Sequence, residues 1–238
     1  MSEPVLAASI RRIHLEHLGD GDGGYAAVAA IRAFWHDLNP ARHAALLSVL
    51  VEFVARREPE IWSIAWEALV QEKATSVAPE LTRLLATRGS DPAFCDDLVL
   101  GLLRMGYRGQ VTELRDYVSK RLAVAGPIIL PLVAALARVA PDEGIALASE
   151  YITSAWRTNL AARVEKYAPS FVRHYLAVGD ELLPRLVSEL TQRDVASGRG
   201  FGGALRAYLA KPWMLEELGA ERSARLQDDL KAACTGAN

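Results

Sequence analysis

The sequence repeats itself about every 34 residues, and this period limits the possible folds more than any other feature. One column of large apolar residues recurs at intervals of 35, 33, 34 and 35 positions: Phe34, Leu69, Leu102, Leu136 and Phe171. A second apolar column follows twelve positions after each member of the first: Leu46, Leu81, Leu114, Ala148 and Leu183. Because this offset is kept in five copies, the sequence predicts five pairs of elements.

Both elements of each pair are predicted to be helices. Positions three and four after the second column are apolar or aromatic in every copy, starting with Val49 and Leu50. This spacing is typical of an amphipathic helix with one face against a core. No segment alternates apolar and polar residues as a β-hairpin does. A helix pair of this length cannot bury its apolar surface alone, so we expect neighbouring pairs to stack into an all-α solenoid.

The predicted solenoid fills a single domain, residues 1–238, which has three parts. A capping helix and a loop occupy 1–22, five helix pairs occupy 23–195, and 196–238 hold a degenerate pair and a C-terminal cap. Terminal repeats are expected to be atypical because they cover the open ends of the stack. Helix-breaking dipeptides fall where this scheme needs turns. They are Asn39-Pro40, Glu58-Pro59, Asp91-Pro92, Gly126-Pro127, Ala140-Pro141 and Gly179-Asp180.

Composition is that of a compact cytoplasmic protein. The chain is 51% hydrophobic and 24% charged with a net charge of −2, so it lacks the basic excess that draws proteins to nucleic acid or anionic membranes. The longest apolar stretch, 123–137, contains two prolines and is too short to span a membrane, which favours a buried helix. The N-terminal arginines follow the apolar residues, the wrong order for a secretory signal. Two cysteines without a CxxC motif suit a reducing compartment, and the richness in Ala, Arg and Leu suggests a bacterial source.

The second repeat resembles the HEAT-like family of helical repeats. It begins with the acidic-Pro-acidic run Glu58-Pro-Glu60, continues through an Ala-rich first helix that ends in Ala68-Leu69, and has a second helix that starts with Val77 and Leu81. The resemblance extends over about three-quarters of the chain and weakens in the other repeats. It implies an armadillo-type α-solenoid that binds a partner on its inner surface, which the second helices of the pairs line. Such an architecture serves many unrelated functions.

Charged positions on the second helices are the predicted binding site. Positions two and six after the second column point away from the core, and their charges alternate in sign. We assign partner binding to Arg83, Asp116, Lys120, Glu150, Arg185 and Glu189. A groove that follows phosphates would carry a row of Lys and Arg, so a protein or peptide partner is favoured over nucleic acid. The alternative is a solvated face whose charges only keep the protein soluble.

A secondary basic row lies two positions after the first column, at Arg104, Arg138 and Arg173. Stacked repeats would align these guanidinium groups along one edge, where they could hold an acidic loop. The alternative is structural, because cations near helix C-termini interact favourably with the helix dipole.

Other motifs are interpreted as structural. Gly198–Gly203 fits G-x-G-x-x-G without a preceding strand, so we expect an inter-helix turn there, with anion binding at the next helix as the alternative. A calcium loop at Asp20-Gly-Asp22 is rejected because Ile31 stands where a Glu is needed. His14 and His17 lack a third ligand for zinc. No metal or cofactor is therefore expected.

Trp62 and Trp66 are spaced for a stacking platform, but the equivalent positions of other repeats are apolar, which predicts that both lie in the core.

No catalytic residue is assigned. Adjacent carboxylates such as Asp96 and Asp97 diverge by about 100° on a helix, and no nucleophile motif is present. We expect a non-catalytic adaptor, regulator or immunity-type inhibitor. The alternative is a HEAT-like nucleic-acid-binding or DNA-repair protein of the glycosylase type.

Overall fold

The computed structural model describes residues 2–18, 24–156 and 159–235, except for the side chains of Leu160 and Ala161. Over these residues the chain is all-α and contains no strand, which confirms the predicted all-α class; the solenoid of five capped helix pairs stays a prediction. Backbone contacts divide the chain into two compact units, Met1–Gln110 and Val111–Asn238, which we call the N-unit and the C-unit. A single continuous domain over 1–238 stays a prediction.

Helices of the N-unit pack in two layers. Helix α2 contacts α4, which contacts α6, whereas α1 contacts α3, which contacts α5. A 3₁₀ turn, Thr75–Val77, precedes α5. The helices are α1 (Glu3–Glu16), α2 (Tyr25–Asp37), α3 (Pro40–Arg56), α4 (Ile61–Gln71), α5 (Ala78–Thr87) and α6 (Pro92–Arg104). First helices of the predicted pairs thus contact first helices, and second helices contact second helices.

The C-unit has the same two-layer packing. Helices α8, α10 and α12 contact one another in that order, and so do α7, α9, α11 and α14. A 3₁₀ turn, Gly126–Ile129, separates α7 from α8. The helices are α7 (Val111–Ala125), α8 (Leu130–Val139), α9 (Pro141–Ala155), α10 (Leu160–Leu176), α11 (Leu182–Arg193), α12 (Val195–Leu209), α13 (Pro212–Leu218) and α14 (Ala220–Thr235).

The predicted columns lie in the cores. All five members of the second column are buried, and so are four of the five in the first, with Phe34 half-buried. Burying an aliphatic or aromatic side chain of this size stabilises the fold by roughly 1.5–3 kcal/mol. Prolines begin helices α3, α6 and α9. Proline is tolerated there because the first amide hydrogen of a helix has no hydrogen-bond partner within the helix. The apolar period and the turn signals are therefore confirmed.

The glycine-rich motif lies inside a helix, so the predicted inter-helix turn is wrong. Gly198 and Gly202 occupy the interior of α12 and face its neighbours α11 and α14. A Cβ at Gly198 would lie 2.2 Å from Thr191 Oγ1, and one at Gly202 would lie 2.3 Å from Cys234 Sγ. These contacts explain the glycines, because only a residue without a side chain allows such an approach. The helix N-terminus is capped by Asp194, whose carboxylate accepts a hydrogen bond from the Ser197 amide at 3.1 Å, which disfavours an anion there.

One stretch of the described residues, Val111–Val139, is long and apolar enough to cross a membrane by length and composition. It comprises α7, the 3₁₀ turn and α8, and 56% of its most apolar window is buried inside the protein. Core helices of soluble proteins pass the same test. The expected buried helix over 123–137 is corrected in one respect: the 3₁₀ turn interrupts it, and Val124 and Ile128 are each 83% exposed.

Candidate functional site: a groove between α9, α11 and α14

Three neighbouring helices of the C-unit enclose a groove with a volume of about 860 Å³. Helix α11 lies in the middle, because α9 and α14 both pack against it. The lining residues are Asp142, Ile145 and Ala146 of α9; Glu181 at the N-cap of α11 followed by Pro184, Arg185, Ser188, Glu189 and Gln192; and Asp229, Ala232 and Ala233 of α14. We call this site the α11 groove.

Small side chains make up a third of the residues that line the α11 groove. Ala146, Ser188, Ala232 and Ala233 come from all three helices, and none extends more than two heavy atoms beyond its Cα. Small side chains let a second backbone come close to a helix surface. The groove can therefore accept a bulky segment without displacing a large residue.

Carboxylates dominate the rim of the α11 groove. Its four acidic residues, Asp142, Glu181, Glu189 and Asp229, face one cation, Arg185, so the lining carries a formal charge of 1 − 4 = −3. Arg185 Nη2 donates to Asp142 Oδ1 at 2.7 Å. The side chains of Glu181 and Asp229 make no ion pair or hydrogen bond with any described residue. The groove is consequently an electronegative surface.

The structure brings three of the predicted binding residues together on α9 and α11. Arg185 and Glu189 line the groove. Glu150 is joined to Glu189 through Arg193, whose Nη2 lies 3.7 Å from Glu150 and whose Nε donates to Glu189 at 2.8 Å. Arg193 and Asp142 were not singled out from the sequence.

The remaining predicted binding residues lie elsewhere. Asp116 and Lys120 are exposed on α7, which contacts α9, and Asp116 lies 3.8 Å from its neighbour Arg115. Arg83 is exposed on α5 of the N-unit. None of these three lines the α11 groove, so partner binding by them stays a prediction.

The secondary basic row divides into paired and unpaired members. Arg104 donates to both oxygens of Glu67, at 2.9 and 3.0 Å, so its role within the N-unit is to hold α6 against α4. Arg138 and Arg173 are exposed on α8 and α10 and form no ion pair or hydrogen bond with the part of the chain that the structure describes. Only these two guanidinium groups of the row are free for a ligand.

Several other ion pairs join residues that are 42 to 47 positions apart in the chain. Arg11 Nε donates to Glu58 at 2.7 Å, and Arg222 and Arg225 both donate to Asp180, at 2.6 and 2.9 Å. The hydrogen bond from Arg11 lowers the pKa of Glu58 below its ordinary value, and the hydrogen bonds from Arg222 and Arg225 lower that of Asp180. These pairs join α1 to the turn before α4 and α14 to the turn before α11, so these charges are already used within the protein.

Sequence reasoning missed the third wall of the groove, helix α14. Its polar composition suggested only a terminal cap, but Leu226 and Leu230 are fully buried one turn apart. That i, i+4 spacing is the signal by which the helix could have been placed against the core. Helix α13 is inserted after α12, which breaks the twelve-position offset that found the other second helices.

The tryptophans do not form a binding platform. Trp66 is buried, its Nε1 donates to the Asp97 carbonyl at 3.1 Å, and its ring fills a notch at Gly101, where a Cβ would lie 2.1 Å from the ring. Trp62 is half-buried and contacts Phe94 edge-on at 5.4 Å. The core interpretation is confirmed for Trp66 and holds in part for Trp62.

Metal-ligand candidates can be located only in part. His14 Nε2 lies 3.4 Å from the Glu60 carboxylate, whereas Asp20 and Asp22 fall outside the described residues. Within 2–18, 24–156 and 159–235, no three His, Cys, Asp or Glu side chains are grouped as a metal site would require.

Comparison of the whole chain with family models, with curated proteins and with solved structures finds no match. The likeness to HEAT-like repeats consequently depends on the repeat columns and the two-layer packing of the helices.

Proposed function

We propose that the protein is a non-catalytic α-solenoid of the HEAT-like kind that binds a protein or peptide segment in the α11 groove. The observation that carries the proposal is the groove itself, a volume of about 860 Å³ between three second-layer helices, lined by small and by charged side chains. Sites for small molecules are lined mainly by apolar and aromatic side chains, and no aromatic residue is among the lining residues here, which favours a polypeptide segment.

The packing behind the groove favours a site that exists before the partner arrives. Helix α12 contacts both α11 and α14, and its glycines bring the three backbones close together. Side chains and backbone that are already fixed lose less conformational entropy on binding. Rigid walls therefore raise the affinity that a given set of contacts can provide.

The lining of the groove supports binding over catalysis. Ser188 supplies its only hydroxyl group, and neither His nor Cys is among the lining residues. A serine nucleophile needs a base within hydrogen-bonding distance. The formal charge of −3 also repels phosphate groups, which favours a polypeptide over nucleic acid at this site.

Photo-crosslinking tests the proposal in cells that express the protein. A photoreactive amino acid at Gln192, inside the groove, is expected to form a specific adduct with a protein, whereas one at the exposed Ala207 on α12 is not. Ala232→Trp fills the groove and should abolish the adduct. Ala224→Trp is the matched control, because Ala224 is also an exposed alanine of α14 but does not line the groove. An adduct at Gln192 that survives Ala232→Trp would contradict the proposal.

A nucleic-acid partner is the second candidate, and the unpaired Arg138 and Arg173 favour it. They lie on the contacting helices α8 and α10. Trp213 of α13, which is 47% exposed, lines a pocket together with Arg173. Cations beside an exposed aromatic ring suit single-stranded nucleic acid.

Fluorescence anisotropy of labelled single-stranded and duplex DNA at about 50 mM salt separates the candidates, since phosphate contacts weaken steeply as salt rises. Salt-sensitive binding that Arg138→Glu with Arg173→Glu removes would support this second function.

A further inference from the structure

We propose that the segment bound in the α11 groove is basic, with at least two Arg or Lys side chains that pair with carboxylates of α11 and α14. This inference rests on the proposed function and specifies the chemistry of the partner. It follows from the distribution of charge inside the groove rather than from the net charge of the protein, which is only −2.

Two carboxylates of the groove lack a cation within the described chain. Glu181 lies at the start of α11 and Asp229 lies on α14, and both are exposed. By contrast, Asp180 outside the groove receives two guanidinium groups, and the groove residues Asp142 and Glu189 receive one each. Two of the four carboxylates of the groove are therefore left unneutralised by the described chain.

The acidic side chains lie along the groove as well as across it. Glu181, Arg185 and Glu189 are four residues apart on α11, so they follow one face with a rise of roughly 6 Å per step. Asp229 stands on the neighbouring helix α14. A segment that lies along α11 therefore meets carboxylates from two helices.

Uncharged groups of the groove suit the rest of a peptide. Ser188 and Gln192 lie between and beyond the charged residues of α11 and can hydrogen-bond to a peptide backbone. The alanines of α9 and α14 leave room for the aliphatic part of Arg or Lys, whose stem packs on apolar surface while its charge reaches a carboxylate. Arginine fits best, because its planar guanidinium can bind a carboxylate through two hydrogen bonds.

Fluorescence anisotropy with defined peptides tests the inference on the full chain. The probes are three labelled twelve-residue peptides, each with four copies of Ala-X-Ala, in which X is Arg, Gln or Glu. The Arg peptide is expected to bind about tenfold or more tightly than the Gln peptide, and the Glu peptide should not bind. Raising the salt concentration should weaken the Arg complex, because its contacts are ionic.

Matched variants locate the binding. Glu181→Gln with Asp229→Asn removes the two unpaired carboxylates and should weaken binding of the Arg peptide by about tenfold. Glu221→Gln with Asp228→Asn removes two exposed carboxylates of α14 that do not line the groove, and should change binding by less than about twofold. All four positions are exposed, so both variants should keep the thermal unfolding midpoint of the unmodified chain.

The outcomes separate this inference from the proposed function. If the Gln or Glu peptide binds best and Ala232→Trp blocks it, the groove binds polypeptide but the inference is overturned. If the Arg peptide does not bind, or if both double variants weaken it equally, the inference is also overturned. A separate result bears on the proposed function. If a photoreactive amino acid at Gln192 forms no specific adduct in the chain without Ala232→Trp, the proposed function is contradicted.

Discussion

At the scale of single residues, the C-unit buries polar atoms that have no hydrogen-bond partner among the described residues. They include Trp156 Nε1 and the hydroxyl of Tyr175, which is fully buried and packs against Phe171 with ring centroids 5.7 Å apart. A buried hydroxyl without a partner costs about 1–3 kcal/mol of desolvation. Burial also raises the pKa of Tyr175 well above its ordinary value, because a phenolate would be desolvated there.

Replacement of Tyr175 by Phe should therefore stabilise the protein. We expect Tyr175→Phe to raise the free energy of unfolding by about 1 kcal/mol at pH 8 in urea titrations, since it removes only the unpaired hydroxyl. Tyr25→Phe, at a side chain that is 71% exposed, is the control and should have little effect. A clearly less stable Tyr175→Phe variant would show that the hydroxyl has a stabilising partner.

The same residue predicts a dependence of stability on alkaline pH. In the unfolded chain Tyr175 ionises near its ordinary pKa of 10.0, whereas the folded chain keeps it neutral to a higher pH. The unfolded state thus gains free energy as pH rises above about 10, and the folded state loses relative stability. The stability advantage of Tyr175→Phe should grow between pH 8 and about 10.5 in the same titrations. An advantage that shrinks over this interval would contradict the raised pKa.

At the scale of elements, the glycines of α12 decide how closely this helix approaches α11 and α14. A Cβ at Gly198 would lie 2.5 Å from the Cα of Thr191 and 2.6 Å from its backbone nitrogen. A backbone cannot move aside as a flexible side chain can. By contrast, a Cβ at Gly203 would meet nothing within 4 Å.

Alanine at these two glycines should have opposite effects. Gly198→Ala is expected to destabilise the protein by about 1–3 kcal/mol, because it forces α12 away from α11. Gly203→Ala is expected to stabilise it by roughly 0.5–1 kcal/mol, because alanine has the higher helix propensity. Thermal unfolding followed by circular dichroism measures both. Equal effects of the two substitutions would mean that helix propensity alone explains the glycines and that close packing does not.

At the scale of the whole molecule, each unit contains a carboxylate whose pKa a guanidinium lowers. In the N-unit the hydrogen bond from Arg11 lowers the pKa of Glu58, and in the C-unit those from Arg222 and Arg225 lower that of Asp180. A carboxylate with a lowered pKa in the folded state contributes stability above its unfolded value, which is 4.5 for Glu58 and 3.8 for Asp180. This contribution is lost as pH falls below those values.

Acid titration should reveal the contribution of the Asp180 pairs. We expect Arg222→Gln to be less stable than the unmodified chain at pH 6 and to lose less further stability between pH 6 and about 3. Arg12→Gln is the control, because the pair that Arg12 forms among the described residues is an exposed one with Glu16 on its own helix. Urea unfolding at each pH measures the effect. Parallel losses of stability in Arg222→Gln and the unmodified chain would contradict the lowered pKa of Asp180.

The sequence by itself determined the all-α class, the repeat columns and the start of several helices. Apolar period and proline position are local properties, which is why Leu46 and Leu183 could be placed in cores and Pro141 at a helix start without coordinates. It also placed Arg185 and Glu189 on the face that the groove occupies.

Only the tertiary structure decided which charges are free and which helix completes the groove. Arg104 and Arg173 hold equivalent positions in the repeat, yet Arg104 is paired with Glu67 while Arg173 is unpaired, because pairing depends on what the neighbouring helix presents. Asp229 joined the site because close packing at Gly202 brings α14 against the middle of α12, beyond the insertion of α13. Such contacts depend on distances between segments far apart in the chain, which a periodic pattern does not encode.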